Sequence, residues 1–363
     1  MKLNDIAEFV TDKISSSSIS LDRYVTTDSL LQNRRGRETA QNLPPIPCAL
    51  THYRQGDVLV ANIRPYLKKV WYADSEGGCS SDVLVFRAKN GHCSSFLYTV
   101  LMQDAFFDYA MSGVKGSKMP RGDKDQIMRY ELPTLTPMEE ENIGNMMVDI
   151  MSKININRQI NDNLEAQLRL ITSRYIFSCP NLEKKRIGEI ATVKAGGDCP
   201  ITFSKTRTQK CNIPIFSNGT EDRGLYGFTN KANIEGHSIT VAARGTIGYC
   251  ERRLMPFVPI IRLLAITPKE DGAYIYLHQV IRGMKFKKNG SVQQQLTVPE
   301  ISFIEIPYPH SRVLHEYNKV ASPIVEMIER NISENEILTK QRDELLPLLM
   351  NGQATVNYHL SDD

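Results

Sequence analysis

The feature that most constrains the fold is a pair of matching segments that repeat at one fixed offset. Pro133 and Pro307 lie 174 positions apart. The same offset, without a gap, covers about forty residues, which indicates an internal duplication of two units and excludes a longer solenoid. The matched pairs are Ile150 with Ile324, Ile154 with Ile328, Asn157 with Asn331, Asn161 with Asn335, Leu164 with Leu338, Gln167 with Gln341, and Ile171 with Leu345.

Both segments predict long helices. Their seam residues alternate in steps of four and three, the heptad spacing of a coiled coil: Ile143, Met147, Ile150, Ile154, Asn157, Asn161, Leu164, Leu168 and Ile171, then Tyr317, Ala321, Ile324, Ile328, Asn331, Asn335, Leu338, Arg342 and Leu345. A helix of about 36–40 residues spans roughly 55–60 Å and would expose its apolar stripe alone. We therefore expect the two helices to pair antiparallel, with one domain at each end.

Two asparagines interrupt each seam: Asn157 and Asn161 in the first, Asn331 and Asn335 in the second. A polar residue at such a position costs stability but can fix helix register and partner choice. The same placement in both helices favours a register role. The alternative is that the four side chains face solvent on a bent helix.

The remaining segments repeat more weakly, and we interpret each of them as a domain. Gly56 and Gly236 lie 180 positions apart, as do Arg64 and Arg244. In each repeat the glycine precedes an apolar strand and the arginine follows it. Short β-rich stretches between glycine turns predict α+β structure. We expect two α/β domains separated by two long helices that form an antiparallel coiled coil, with an internal pseudo-twofold repeat. The predicted boundaries are domain 1 at 1–133, spacer helix 1 at 134–183, domain 2 at 184–307, spacer helix 2 at 308–352 and a C-terminal tail at 353–363.

Charge alternates along these segments. Counting Lys and Arg against Asp and Glu gives +2 for residues 1–133, −3 for 134–183, +8 for 184–307 and −4 for 308–363. A basic segment attracts a polyanion such as DNA, so the second domain is the stronger candidate. The alternative is a solvated surface with chance asymmetry.

Familiar catalytic motifs are absent from the sequence. It has no phosphate loop, dinucleotide fingerprint, HExxH or nucleophile elbow, and its seven histidines show no metal-ligand spacing. The seven cysteines form no CxxC pair, which favours free thiols in a reducing cytoplasm. No apolar stretch approaches the roughly 20 residues of a membrane helix. We therefore expect a non-catalytic cytoplasmic protein that binds no metal and no membrane.

Several stretches resemble the specificity (S) subunits of type I restriction–modification enzymes. They are 24–28, 56–69, 77–85 and 116–124 in the first domain, 213–219 and 243–248 in the second, and the helix ending 342–352. The resemblance implies that each target recognition domain reads one half of a bipartite site in double-stranded DNA. It implies that the helices bind modification subunits, two of them, which carry S-adenosylmethionine and methylate adenine. A separate restriction (motor) subunit would cleave DNA, and this chain would hold no cofactor.

Two alternatives have the same architecture or explain part of it. A specificity subunit of a related multi-subunit system that cuts beside its target would share every motif above. A coiled-coil scaffold that binds only proteins would explain the helices but not the +8 segment. A third class, a nucleic-acid enzyme with an unrecognised site, would alter DNA by itself.

Candidate DNA-contacting residues are basic or amide side chains, because Lys and Arg neutralise phosphates and Gln can pair with adenine edges. In the first domain they are Arg34, Arg35, Arg37, Arg64, Lys68, Lys69, Lys118, Arg121 and Lys124. In the second they are Lys205, Arg207, Lys210, Asn218, Arg223, Arg244, Lys285, Lys287, Lys288, Gln293, Gln294 and Gln295. Lys68-Lys69 and 285–288 are the densest basic clusters. An exposed acidic flank on the second helix, Glu326, Glu329 and Glu334, is expected to bind the modification subunits.

Overall fold

The computed structural model describes residues 1–114, 119–179, 182–286 and 295–356. The chain divides into two compact units. The first combines Met1–Gln159 with Asn331–Asp363, and the second is Ile160–Arg330. Each unit therefore contains one domain and part of each long helix, which agrees with the α+β class and the paired helices expected from sequence.

The first unit contains helices α1 to α4 and strands β1 to β8, in the order α1 (Leu3–Ile6), β1 (Ala7–Phe9), β2 (Lys13–Ser15), β3 (Tyr24–Val25), β4 (Ala49–Tyr53), β5 (Val58–Ala61), β6 (Val70–Tyr72), β7 (Gly77–Cys79), β8 (Val83–Ala88), α2 (Ser94–Leu101), α3 (Asp104–Ser112) and α4 (Lys124–Ile127). The strands form two four-stranded sheets, ordered β1-β8-β5-β6 and β2-β4-β7-β3. Helices α2 and α3 cover the first sheet, and the apolar core between them includes Phe86, Phe96 and Phe106.

Helix α5 (Pro137–Thr172) follows, and a π-helical turn at Ser173–Phe177 ends it. The second unit then continues with β9 (Glu183–Arg186), α6 (Ile187–Ile190), β10 (Ala191–Ala195), β11 (Ile213–Phe216), β12 (Leu225–Thr229), β13 (Ser238–Val241), β14 (Cys250–Arg253), β15 (Val258–Pro259), β16 (Leu264–Pro268), α7 (Ala273–Gly283), α8 (Val298–Ser302), β17 (Glu305–Tyr308) and α9 (Ser311–Met350). Its sheets are ordered β10-β16-β13-β14, β12-β11-β15 and β17-β9.

The two domains share one topology. β1, β8, β5 and β6 occupy the same order as β10, β16, β13 and β14, and every pairing in both sheets is antiparallel. A one-turn helix precedes the first strand in each, closed by a carboxylate of Asp5 or Glu189 that accepts the N-cap backbone N–H. The structure therefore confirms the internal duplication that the sequence predicts.

The long helices run antiparallel within each unit. In the first unit, Asn157 of α5 donates to Asn335 of α9. Met151, which comes earlier in α5, accepts from Arg342, which comes later in α9. In the second unit, the Asn161 side chain donates to the Ile328 carbonyl oxygen, and Thr172 lies beside Tyr317. Later residues of α5 thus meet earlier residues of α9 in both units, as the heptad pattern predicts.

The buried seam departs from the strict heptad at four positions. Ile150, Ile171, Ile324 and Leu345 are half-buried, whereas the following residues, Met151, Thr172, Val325 and Leu346, are buried. An α-helix of 3.6 residues per turn drifts against a 3.5-residue repeat, so the core-facing stripe moves by one residue over several turns.

Asn157 and Asn335 donate from one long helix to the other. Asn157 is 2% exposed, and its Nδ2 donates to Glu334 Oε2 at 2.7 Å and to Asn335 Oδ1 at 3.0 Å. Asn335 Nδ2 in turn donates to the Ile154 carbonyl oxygen at 3.3 Å. These bonds satisfy buried amides only when the helices keep one alignment. The register role of the four asparagines remains a prediction.

Candidate nucleic-acid interface

The hairpin loop between β5 and β6 is the most distinctive surface of the first domain. Ala61 N donates to the Lys69 carbonyl oxygen at 3.1 Å and closes the loop, which then contains residues 62–68. Arg64 and Lys68 adopt left-handed backbone conformations, with φ of 54° and 51°. Between them Tyr66 is 50% exposed. The loop thus presents an arginine and an aromatic ring to solvent.

Two predicted basic residues of this domain bind one carboxylate of the same domain. The Arg34 guanidinium is buried and donates to the Met102 carbonyl oxygen and to Asp104. Lys68 Nζ donates to the same carboxylate at 2.7 Å. Partial burial opposes ionisation of Asp104, but Lys68 and Arg34 outweigh it and lower its pKa. Arg34 and Lys68 therefore brace the domain, because their donors already have internal partners.

Other predicted residues of this domain also have internal partners. Arg35 Nε donates to the Gln32 carbonyl oxygen at 3.2 Å, and Lys69 Nζ donates to that of Thr27. Arg37 Nη1 donates to the Asp22 carbonyl oxygen at 2.6 Å, and its guanidinium stacks 4.4 Å from the Trp71 ring centroid. The sequence could not show the contacts of Lys69 and Arg37, since their partners lie 15 or more positions away.

Four of the predicted basic residues of the first domain are exposed: Arg35, Arg64, Arg121 and Lys124. Arg121 is exposed and pairs with Asp82 at 3.0 Å, and Lys124 lies 5.9 Å from the Phe9 ring centroid. Arg64 is exposed and makes no hydrogen bond or ion pair with a side chain in the described parts of the chain. Lys118 lies outside the described residues.

In the second domain, Asn218 organises the corresponding end of the sheet. Its Nδ2 donates to the Ile261 carbonyl oxygen at 2.6 Å, and its Oδ1 accepts from Ala243 N at 2.8 Å. Arg244 donates through Nε and Nη2 to Gln295 Oε1 at 3.1 and 2.6 Å. A cleft of about 300 Å³ lies beside them, lined by Gly197, Asp198, Arg244, Ile261 and Arg262.

Arg223 belongs to a charged cluster that joins the second domain to the helix pair. Its Nε donates to Glu251 at 2.8 Å, and its Nη1 donates to Glu329 of α9 at 2.9 Å. Burial disfavours the Arg223 charge, but Glu251 and Glu329 outweigh it and raise its pKa. The prediction of Arg223 as a DNA contact is therefore not supported, because its guanidinium is enclosed by these partners. Glu329 binds Arg223 and is therefore not a free member of the acidic flank that the sequence predicts. Of the other two residues of that flank, Glu326 is exposed and Glu334 is half-buried.

The other predicted residues of the second domain lie mostly at its surface. Lys205, Arg207, Lys210 and Lys285 are exposed. Lys205 Nζ donates to the Tyr226 carbonyl oxygen at 3.2 Å and lies 5.3 Å from that ring centroid. Lys287, Lys288, Gln293 and Gln294 lie outside the described residues.

Three further residues were missed by sequence reasoning: Tyr66, Ile261 and Arg262. All three are exposed, and Ile261 and Arg262 are both left-handed, with φ of 53° and 63°. Non-glycine residues in this region are strained, and such strain concentrates at functional sites. The backbone conformation marks Ile261 and Arg262, and side-chain exposure marks Tyr66, so the sequence held no signal for any of the three.

His278 of α7 lies beneath the charged cluster and is 3% exposed. Arg252 Nη1 donates to its Nδ1 at 3.0 Å, which requires an unprotonated acceptor nitrogen. Burial first, and then the nearby charges of Arg252 and Arg282, hold its pKa well below the ordinary value. His278 is therefore neutral in the folded domain.

We expect acid to destabilise the second domain through His278. The unfolded chain takes up a proton near pH 6.5 while the folded chain does not, so stability is complete above that pH and falls below it. One proton corresponds to about 1.4 kcal/mol per pH unit. Hydrogen exchange of the β13 and β16 amides between pH 7.5 and 5.5 measures this slope. H278Q should remove that part of the slope, and an identical slope in the variant would contradict the assignment.

Within the ranges that the structure describes, no group of three or more His, Cys, Asp or Glu side chains could hold a metal ion. No helix in those same ranges is both long and apolar enough to cross a membrane.

Two domains of one topology, each with basic residues at one end of its sheet, define a duplicated α+β protein. Residues 181–346 match the family model described as the type I restriction modification DNA specificity domain. A Mycoplasma pneumoniae protein named as a type I specificity subunit is 31% identical over 186 residues, 49% of this chain and 56% of that protein. The C-terminal part of a second such protein from that organism is 32% identical over 128 residues, 34% of this chain and 88% of the relative.

The chain belongs to the family of type I restriction–modification DNA specificity subunits. It spans about half the length of the first of these relatives. The crystal structure of a type I restriction–modification system S subunit from M. genitalium shares the fold, with a TM-score of 0.62 and 15% identity, covering 96% of this chain and 95% of that one.

Proposed function

We propose that this chain is the DNA-specificity subunit of a type I restriction–modification system. Each domain reads one half of a bipartite sequence in double-stranded DNA. The observation that carries the proposal is the duplicated topology, in which the same hairpin loop places an exposed arginine, Arg64 or Arg244, at equivalent ends of two sheets. Membership of the specificity family supports it independently.

The geometry of the basic residues supports two separate roles, one structural and one in DNA contact. Arg34, Arg37 and Arg223 have internal partners and hold loops in place, whereas Arg64, Arg207 and Arg262 are exposed. Exposed guanidinium groups can contact phosphates and guanine edges. Recognition would therefore come from a small set of side chains on a rigid scaffold.

The helix pair would serve as the surface for modification subunits, two of them, and a restriction subunit would join the full complex. The modification subunits would carry S-adenosylmethionine and methylate adenine, and this chain would bind no cofactor and catalyse no step. Glu326 is exposed on α9 and fits a basic partner surface.

The test is co-expression of the full chain with its modification subunits, followed by sequencing of methylated adenines in the host DNA. We expect methylation confined to one bipartite motif, and loss of that motif when this chain is omitted. Electrophoretic mobility shift with and without modification subunits separates the alternatives. A protein scaffold would give no DNA-dependent shift, and an enzyme would alter DNA as the purified chain alone; either result would overturn the proposal.

A further inference from the structure

The two equivalent hairpin loops differ in a way that singles out the first domain. Ala61 N donates to the Lys69 carbonyl oxygen, and Ala242 N donates to that of Tyr249. These bonds define loops 62–68 and 243–248, with the second one residue shorter. The alignment by sequence pairs Arg64 with Arg244, but counting from the loop start pairs Arg64 with Gly245.

Both loops contain two left-handed residues at matching places. In the second domain these are Gly245 and Gly248, with φ of 67° and 89°. In the first they are Arg64, third from Ala61, and Lys68, directly before Lys69. Glycine adopts this conformation without strain, whereas residues with a Cβ do so at a cost. The first domain therefore retains two side chains where the shared fold would accept glycine more readily.

The Lys68 side chain and several backbone hydrogen bonds anchor the loop. Lys68 Nζ donates to Asp104, which Arg34 also binds. Two backbone N–H groups, those of Asn33 and Arg34, donate to the carbonyl oxygens of Leu67 and Lys68 at 3.0 and 2.9 Å. Arg64 N donates to the Pro120 carbonyl oxygen at 2.8 Å. The loop is thus anchored at both ends and from two neighbouring segments.

This anchored loop carries one exposed aromatic residue. Tyr66 is 50% exposed, and neither a hydrogen bond nor a ring contact joins its side chain to another described residue. The exposed Arg64 guanidinium stands two residues before it. An exposed aromatic ring on an anchored loop that also carries an exposed arginine suits an apolar contact with base edges, including the thymine methyl group, while the arginine neutralises a phosphate.

We propose that Tyr66 is a specificity-determining residue, and that its ring contacts bases of the half-site read by the first domain. The inference rests on the proposed DNA-recognition function. The second domain has Thr246 and Ile247 between its glycines, so the contact belongs to one half-site only.

The experiment uses the full chain assembled with its modification subunits and a library of randomised DNA, with methylated products sequenced. We expect Y66A to relax one half of the bipartite motif, to leave the other half unchanged, and to weaken cognate binding roughly tenfold. Y66F keeps the ring and should resemble the native chain. F303A, which removes an exposed aromatic ring of the second domain, should leave the first half-site unchanged.

Three results would overturn the assignment. In the first, Y66A retains the native motif and its affinity for DNA stays within about twofold of native, because the loss of a single base contact should weaken binding by more than that. It could weaken binding to all sequences equally, which would make Tyr66 a nonspecific contact. It could lose co-purification with the modification subunits, which would place the ring at a protein interface. If the native complex shows no sequence-restricted methylation, the proposed function itself fails, and the variants are not needed to show it.

Discussion

R223M is expected to destabilise the second domain by about 3 kcal/mol, because removing one partner of a buried ion pair leaves an uncompensated charge. Two carboxylates, Glu251 and Glu329, would lose the guanidinium that binds both. Arg252 Nε lies 4.0 Å from Glu329 and would compensate in part, so we expect the lower end of the usual range. The measurement is the protection of β14 amides against hydrogen exchange.

R262M provides the matched control, because Arg262 is an exposed arginine of the same domain that has no side-chain partner among the described residues. We expect it to change stability by less than about 0.5 kcal/mol. If R223M instead proved as stable as R262M and lost DNA binding, Arg223 would belong to the DNA surface, as its basic character alone suggests.

The cluster around Arg223 extends to the first long helix. Arg252 and Arg282 both bind Glu165 of α5, the latter at 2.9 Å, and Gln279 Nε2 donates to the same carboxylate at 3.3 Å. Burial opposes ionisation of Glu251, but Arg223 lowers its pKa and keeps it charged. A buried charged network of this kind fixes geometry more than it adds stability. It holds the sheet of the second domain against α5 and α9.

The helices and the duplication could be predicted from sequence because both depend on periodicity. Alternating steps of four and three identify a buried stripe whatever the partner, and an offset of 174 between Pro133 and Pro307 needs only counting. The shift of the buried position from Ile150 to Met151 could not be predicted, because the sequence does not show at which turn a straight helix departs from the 3.5-residue repeat.

The roles of the basic residues could not be predicted, because burial of a charge depends on partners distant in sequence. Arg34 meets Asp104 across 70 positions, and Arg223 meets Glu329 across 106. Nothing local to either arginine distinguishes it from the exposed Arg64. Backbone strain at Arg64 and Lys68 is equally invisible, since it follows from hydrogen bonds that close the loop.

Salt concentration is expected to have the largest effect on the DNA affinity of the assembled complex. A protein that contacts six to ten phosphates loses roughly 10³–10⁵ in DNA affinity between about 50 and 200 mM salt. With +8 in residues 184–307 against +2 in residues 1–133, the second domain should contribute more of this dependence. Replacing Lys285, Lys287 and Lys288 together by Ala should lower the log–log slope by about 3, at about 0.9 per phosphate contact. Lys285 is exposed, and the other two lie outside the described residues.

The control for this prediction is the other dense basic cluster, Lys68-Lys69, replaced by Ala in the same complex. Both ammonium groups already donate inside the first domain, to Asp104 and to the Thr27 carbonyl oxygen, so neither should release counterions on binding. Its slope should therefore stay close to native, although its two lysines are adjacent in sequence just as Lys287 and Lys288 are. An unchanged slope in the 285–288 variant would remove that cluster from the DNA surface. A slope lowered by about 2 in the Lys68-Lys69 variant would show that these lysines leave their internal partners for phosphates.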